Sequence, residues 1–486
     1  MSAPSSAVEV IIIGSGFGGL GMAIEIDRRR LGSYLILEKE DSVGGTWRDN
    51  SYPGAACDVK ATLYHYSYAP WAWSRTYPPQ SEILAYIRAT ADRYRVTPRV
   101  LPNKTVIRAT WRREWGLWEV ECQDKTKYFG RYLVGATGQL NRPSVPDFPG
   151  RESFAGPQFH TARWNHSVDL SGKRVALIGS GASAIQVGPA IAGTVGHLSV
   201  FQRSAPYVMP KEDPETTPGQ RRRQQYFPWT TLVSRLRAYV YGELFGAGLV
   251  GKKEIRSKAR AQWEMYVNAV VKDADLRKRI VPDYEIGCKR VLLASDWYST
   301  LQRENVDLVT SGIDAITPKG VRTADGVEHE FDVLIYATGF STTDFLAPIE
   351  ITGRTETTLR DAWANRPLAH RGVTVPEFPN LFVLYGPNTN LGSNSILFML
   401  ESQIQYVAHL MRAANDRDWR GIEVRTEALE EWRHMIDDES GDTAWVQGCH
   451  SWYTIDGVNT NNWPKSSWQY HQLMRSVDLA NYTNAS

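Results

Sequence analysis

The chain has 486 residues, room for two or three ordinary domains, and 42% of them are hydrophobic, enough to bury large cores. Its net charge is only +2, and no Lys/Arg cluster is interleaved with stacking aromatics, so no nucleic-acid partner is expected. The four cysteines, Cys57, Cys122, Cys288 and Cys449, form no CxxC pair and no metal-ligand spacing, which predicts a reducing, cytoplasmic setting with neither a disulfide framework nor a metal centre.

The start, MSAPSSAVEVIIIGSG, is a short polar tail running into a strand rather than a secretory leader. No run of about 18 apolar residues follows anywhere, so no membrane span is expected. From Val8 the pattern is an apolar strand, then Gly14, Gly16 and Gly19, then a helical stretch, then the strand YLILE ending at Glu38. Such glycines permit a tight turn, close approach of backbone to a pyrophosphate, and close packing of helix on strand. The helix N-terminus attracts phosphate charge. Glu38 is placed to accept hydrogen bonds from ribose hydroxyls, as an FAD-type unit requires.

Next come GGTWRDNSYPGAACD (44–58) and the apolar strand RYLVGATGQ (131–139), then FAGPQFHTARWN (154–165), which carries Phe154, Gly156, His160 and Trp164. After it the first plan recurs as RVALIGSGASAIQVGPAIAGTVGHLSVFQRS, where Gly179 and Gly181 lead into Ala182, Ser183 and Ala184. Glu38 lies 24 residues after Gly14, and Arg203 lies 24 residues after Gly179, so the two occupy matching places. An acid there suits an unmodified ribose, whereas an arginine grips a 2′-phosphate. The second unit is therefore expected to take NADPH in preference to NADH.

Residues 211–285 interrupt the strand-helix rhythm with helical stretches and are read as a helical insertion over the site. Its part around Trp229–Val250 is apolar enough to touch a membrane surface, so weak peripheral contact stays open beside packing on its own core or lining a substrate tunnel. PDYEIGCKR (282–290) follows, then FDVLIYATGF (331–340), a second strand closing in Ala-Thr-Gly. The expected fold class is α/β, with two Rossmann-like dinucleotide-binding domains. One comprises residues 1–140 and 336–486 and holds FAD. The other, 141–335, holds NADPH and carries the insertion.

The segment FAGPQFHTARWN resembles the F-x-G-x-x-x-H-x-x-x-W-(P/D) fingerprint of flavin-dependent Baeyer–Villiger monooxygenases, with Asn165 standing where Pro or Asp is usual. GGTWRDNSYPGAACD is similar to the family's G-G-x-W-x(4)-(F/Y)-P-G-x(3)-D signature, ending at Asp58. PDYEIGCKR resembles its segment ending in Lys-Arg, and YGPNTNLGSNS and SWYTIDGVNTNNWP are also similar to family members.

The resemblance implies that Gly45, Thr46, Trp47 and Tyr64 lie along FAD. It implies that Ser180, Gly181, Ala182, Ser183 and Gln186 wrap the NADPH pyrophosphate. Arg203, Ser204 and Lys289 would take the 2′-phosphate, and Trp452 would close over the cofactor. It further implies an NADPH- and dioxygen-dependent oxygen insertion beside a ketone carbonyl through a peroxyflavin, giving an ester or lactone, with sulfides as further substrates. Arg290 would stabilise the negative charge that develops, and Asp58 would pair with it. His160 is read as joining the two domains rather than as a base. The competing reading is an N- or S-oxygenating flavin monooxygenase, which has no use for Asp58 with Arg290.

Overall fold

The computed structural model describes residues 4–227, 229–364, 366–392, 394–446, 449 and 451–485. It contains two central sheets. In the first, the strand Val8–Ile13 lies parallel between Tyr34–Leu37 and Lys127–Gly135, with Ile11 opposite Leu35 on one side and Leu133 on the other. Eight strands make up this sheet. Two of them come from the C-terminal part: Glu350–Thr352 and Leu381–Val383. The second sheet has five strands, all parallel, in the order Val306–Val309, His197–Phe201, Arg174–Ile178, Val333–Tyr336, Gln158–His160.

The last four residues of each strand that leads into a glycine turn, VIII and VALI, form a continuous apolar run because both faces of the sheet are covered there. Val10 and Ile12 pack into the core containing the helix Phe17–Arg29, while Ile11 and Ile13 enter the core on the opposite face. Val175 and Leu177 are likewise separated from Ala176 and Ile178. Each such buried Ile, Val or Leu contributes about 1.5–3 kcal/mol.

The two copies also share a backbone contact. Gly14 has φ +101°, and a Cβ there would lie 2.7 Å from the Ala136 carbonyl oxygen. Gly179 has φ +120°, and a Cβ there would lie 2.4 Å from the Ala337 carbonyl oxygen. Ala136 and Ala337 open the two Ala-Thr-Gly segments, so each exit strand is pressed against its own glycine turn. Only glycine fits both the dihedral and the space.

The expected insertion consists of the helices Pro218–Tyr226, Thr230–Gly251, Lys253–Val270 and Ala274–Arg279. Lys253–Val270 packs on the second unit through Ala259, Trp263 and Val267. Among the described residues no helix is long and apolar enough to cross a membrane.

The cysteine reading needs correction. Cys288 and Cys449, 161 residues apart, form a disulfide with Cα atoms 5.5 Å apart, while Cys57 and Cys122 are buried and free. The spacing hid this pair because it joins two loops that only the packing of the two units brings together.

Candidate active site

A cavity of about 1560 Å³ runs between the two units. That exceeds the pocket of a single drug-sized ligand. At one end it is lined by Gly14, Gly16, Glu38, Gly45, Thr46 and Trp47, and at the other by Ser180, Gly181, Ala182, Ser183, Arg203 and Lys289. Gly19 lies a turn deeper, under the Gly14 carbonyl.

Glu38 directly follows its strand and is 3% exposed. One carboxylate oxygen accepts from the Ser15 backbone N–H at 2.9 Å and its hydroxyl at 2.6 Å. The other accepts from the Glu40 N–H at 3.0 Å and lies 3.3 Å from the Arg48 guanidinium. These bonds hold an acceptor at the cavity wall, which suits a ribose. The Trp47 indole donates to the Tyr64 hydroxyl at 3.0 Å, and the two rings meet edge to face 5.5 Å apart, so both expected residues share one wall.

In the second unit the strand stops at Phe201, and Arg203 stands two residues beyond it, exposed at the cavity rim. Lys289 donates to the Ser204 hydroxyl at 3.2 Å and lies over the Tyr284 ring at 4.3 Å. Burial lowers the Lys289 pKa, and the positive charge of Arg203 lowers it further, against the opposing pull of Asp283. Two cations that repel each other across a rim are the donor set a phosphate dianion would relieve. The first unit therefore fits a dinucleotide read by ribose hydroxyls, and the second one read by an added phosphate.

Gln186 departs in part from its expected role. Its carbonyl accepts from the Tyr52 hydroxyl at 2.9 Å, and its amide donates to the Ala56 carbonyl at 3.0 Å. It lines the cavity, but its polar atoms join the two units.

Between the two ends, Arg290 Nε donates to Asp58 Oδ2 at 2.7 Å. The side chains are 26% and 32% exposed, facing the cavity they line. Burial alone would raise the Asp58 pKa; the charge of Arg290 and its hydrogen bond outweigh that and hold it below its ordinary value. The carboxylate in turn raises the Arg290 pKa above its ordinary value, against burial. Both groups therefore stay charged at neutral pH. Arg290 Nη1 reaches the carbonyls of Leu391 and Gly392 at 3.4 and 3.3 Å. No hydrogen bond from Nη2 is found among the described residues, which leaves a charged donor for a ligand.

Those carbonyls sit on a loop braced by the two asparagine-rich C-terminal stretches. Asn388 donates to the Asn459 carbonyl at 2.9 Å, and Asn390 donates to the Asn462 side-chain oxygen at 2.7 Å. Ser393 of the first stretch lies outside the described residues. Sequence reasoning missed Tyr385 and Tyr453, which also line the cavity beside Arg290. Tyr453 follows Trp452, whose ring lies 4.3 Å from it at the cavity wall and is 41% exposed. The Cys288–Cys449 disulfide ties the residue before Lys289 and Arg290 to the loop that bears Trp452 and Tyr453.

The fingerprint residues stand apart from the cavity. Phe154 is buried in the second sheet's core, and a Cβ on Gly156 would lie 2.5 Å from the Asp332 carbonyl oxygen. His160 pairs with Tyr336 across the strands, and its Nδ1 accepts from the Ala162 N–H at 3.0 Å. Burial pushes its pKa down to about 4, so it is neutral at pH 7. Trp164 packs edge to face on Phe159 at 5.1 Å.

Comparison with known proteins adds the following. Residues 11–218 match the family model described as pyridine nucleotide-disulphide oxidoreductase. A Streptomyces coelicolor protein named Baeyer-Villiger monooxygenase is 40% identical over 98% of this chain and 92% of its own length. An oxidized steroid monooxygenase bound to NADP superposes with a TM-score of 0.88 at 30% identity, covering 98% of this chain and 99% of its own. A structure of OTEMO in complex with FAD and NADP gives 0.89 at 28% identity, covering 99% and 100%.

Proposed function

The chain belongs to the Baeyer–Villiger monooxygenases, and from that premise we propose that it inserts one atom of dioxygen beside a ketone carbonyl, giving an ester or lactone, at the Asp58–Arg290 centre. It is an FAD-dependent enzyme that uses NADPH. The two cofactors, when bound, supply the electrons and the carrier on which dioxygen is activated. Everything else falls to the side chains.

In this reading Gly14, Gly16 and Glu38 hold FAD in a body made of residues 1–140 and 336–486, and Gly45, Thr46, Trp47 and Tyr64 flank it. Ser180, Gly181, Ala182 and Ser183 hold the NADPH pyrophosphate in residues 141–335, and Arg203, Ser204 and Lys289 share its 2′-phosphate. Trp452 covers the cofactor. When an oxygen nucleophile adds to a ketone, negative charge gathers on the former carbonyl oxygen. Arg290 donates to that oxygen through its guanidinium, and Asp58 keeps the guanidinium aimed and charged. A preorganised donor of this kind is worth roughly 3–4 kcal/mol. His160, neutral at pH 7 and set apart from the cavity, positions the junction of the two units.

The observation that carries the reading is the 2.7 Å Asp58–Arg290 pair, set in the cavity wall between an acid-read and a cation-read dinucleotide site. An N- or S-oxygenating enzyme has no need of that pair. Sulfides are further substrates here, because a pocket that admits an apolar ketone also admits a soft sulfur. The test is product analysis of the purified enzyme with NADPH against a panel of aromatic, cyclic and long-chain ketones and of sulfides. Esters or lactones from ketones support the reading. Sulfoxides or N-oxides with no ester from any ketone would overturn it.

A further inference from the structure

The Thr230–Gly251 helix turns two charges inward and exposes an apolar stripe. Two of its charged residues, Arg235 and Glu243, face the protein. Arg235 donates to the carbonyls of Thr62 and His65 at 3.3 and 3.2 Å and lies 3.7 Å from the Glu401 carboxylate. Glu243 accepts from the Asn394 amide at 2.8 Å and from the Ser467 N–H at 3.0 Å. A stripe of its apolar residues faces water instead. Trp229 is 66% exposed, Leu236 62% and Leu244 71%, and Leu232, Val233 and Val240 are exposed beside them. Tyr226 and Phe227 extend the same surface at the helix's leading end. A surface helix ordinarily buries its apolar stripe and turns its charges outward. A contiguous apolar face of this extent on a folded protein marks an interaction site.

Charge identifies the partner. Residues 218–251 carry five arginines and one carboxylate, and that carboxylate, Glu243, is turned inward. Arg222, Arg223 and Arg237 are exposed, and no ion pair of theirs is found among the described residues. Lys252 and Lys253 are exposed at the far end. The face is thus apolar in the middle, aromatic at one end and cationic at both. Aromatic rings settle at headgroup level, apolar side chains enter the acyl boundary, and flanking cations meet anionic headgroups. A second copy of the chain docked through the same face would bring the same cations together.

We propose that this helix is an interfacial anchor that docks the enzyme on an anionic lipid bilayer without spanning it. Asn394, which holds Glu243 from the other side, lines the cavity. Docking therefore sets the cavity one helix away from a phase in which apolar ketones concentrate. That consequence rests on the proposed function; the docking itself does not.

The experiment is co-sedimentation of the FAD-loaded enzyme with vesicles of phosphatidylcholine and phosphatidylglycerol, against vesicles of phosphatidylcholine alone, at low and high salt. Binding is expected to the anionic vesicles and to weaken with salt. The double variant Leu236→Glu, Leu244→Glu should lower the vesicle-bound fraction's partition coefficient about tenfold or more while flavin absorbance and melting stay unchanged. Arg222→Glu with Arg223→Glu, which leaves the apolar face intact, should abolish the preference for anionic vesicles. Absence of binding to the anionic vesicles, or binding indifferent to both double variants, overturns the proposal. So does a dimer in light scattering that Leu236→Glu dissociates, because the face then belongs to a second copy.

Discussion

Glu38 closes the first glycine-rich unit as a buried acid with both oxygens bonded to Ser15, Glu40 and Arg48. At the matching place in the second unit, Arg203 is exposed and repels Lys289 across the rim. The same backbone plan thus carries, in the first copy, an acid bonded within the protein and, in the second, two cations for which no ion pair is found among the described residues, Asp283 alone pulling on Lys289. The first arrangement suits a cofactor held throughout turnover. The second suits one whose arrival supplies the missing anion, so that recognition and electrostatic relief coincide.

The comparison can be broken most severely where the two units meet. Arg290→Ala should cut ester formation about a hundredfold or more, while NADPH still reduces the flavin, because Arg203 and Lys289 remain. Stopped-flow reduction measured beside product yield reads both halves. Asp58→Ala should resemble it, since an unpaired Arg290 loses its aim. Equal loss of reduction and oxygenation would mean that the pair serves the whole fold rather than the second half-reaction.

Next in size is the disulfide, which fastens the Lys289–Arg290 segment to the Trp452 loop. Cys449→Ser, or treatment with a dithiol, should cost about 2–4 kcal/mol of stability and raise the KM for NADPH. Flavin binding at the first unit should be untouched. An unchanged melting temperature would show that the bridge contributes nothing.

Arg203→Ala should weaken NADPH by about tenfold or more and leave NADH nearly unaltered, and Arg203→Glu should turn the preference toward NADH. An equal effect on both coenzymes would reduce Arg203 to a structural role.

A further test lies in the pH dependence of stability. Burial pushes His65 and His160 down to about 4 and His370 to about 3, with Arg235 and Arg371 adding repulsion at His65 and His370. In the unfolded chain each takes a proton near pH 6.5. Between about 6.5 and 4 the unfolded state therefore binds more protons, and stability falls as pH falls. The melting temperature should drop from pH 7 to pH 5, and His370→Asn should flatten that slope. A melting temperature flat over this range would contradict the buried-neutral assignment.

The two units were legible because their glycines, strand ends and 24-residue spacing are local features that survive in any surroundings. Asp58 and Arg290 were legible only through patterned segments; nothing in their 232-residue separation announces a contact. Tyr385, Tyr453 and the Leu391 and Gly392 carbonyls were missed because loop backbone and lone tyrosines have no period to detect. The disulfide was missed for a related reason: spacing within the chain says nothing about two loops on different units. Periodicity found the Thr230–Gly251 helix, but which face is covered depends on Arg235 and Glu243 finding partners far away in sequence. The family resemblance made Gln186 a pyrophosphate ligand, and only the approach of Tyr52 and Ala56 reveals its second use.

The most direct test of the account is turnover of a ketone with NADPH under isotopically labelled dioxygen, followed by mass spectrometry of the product from the wild-type enzyme and from Arg290→Ala. The account predicts one labelled oxygen in each wild-type ester molecule, and in the variant an ester yield lower by about a hundredfold or more with the reducing equivalents recovered as hydrogen peroxide. Unlabelled ester, or labelled ester formed by Arg290→Ala at the wild-type rate, would contradict it.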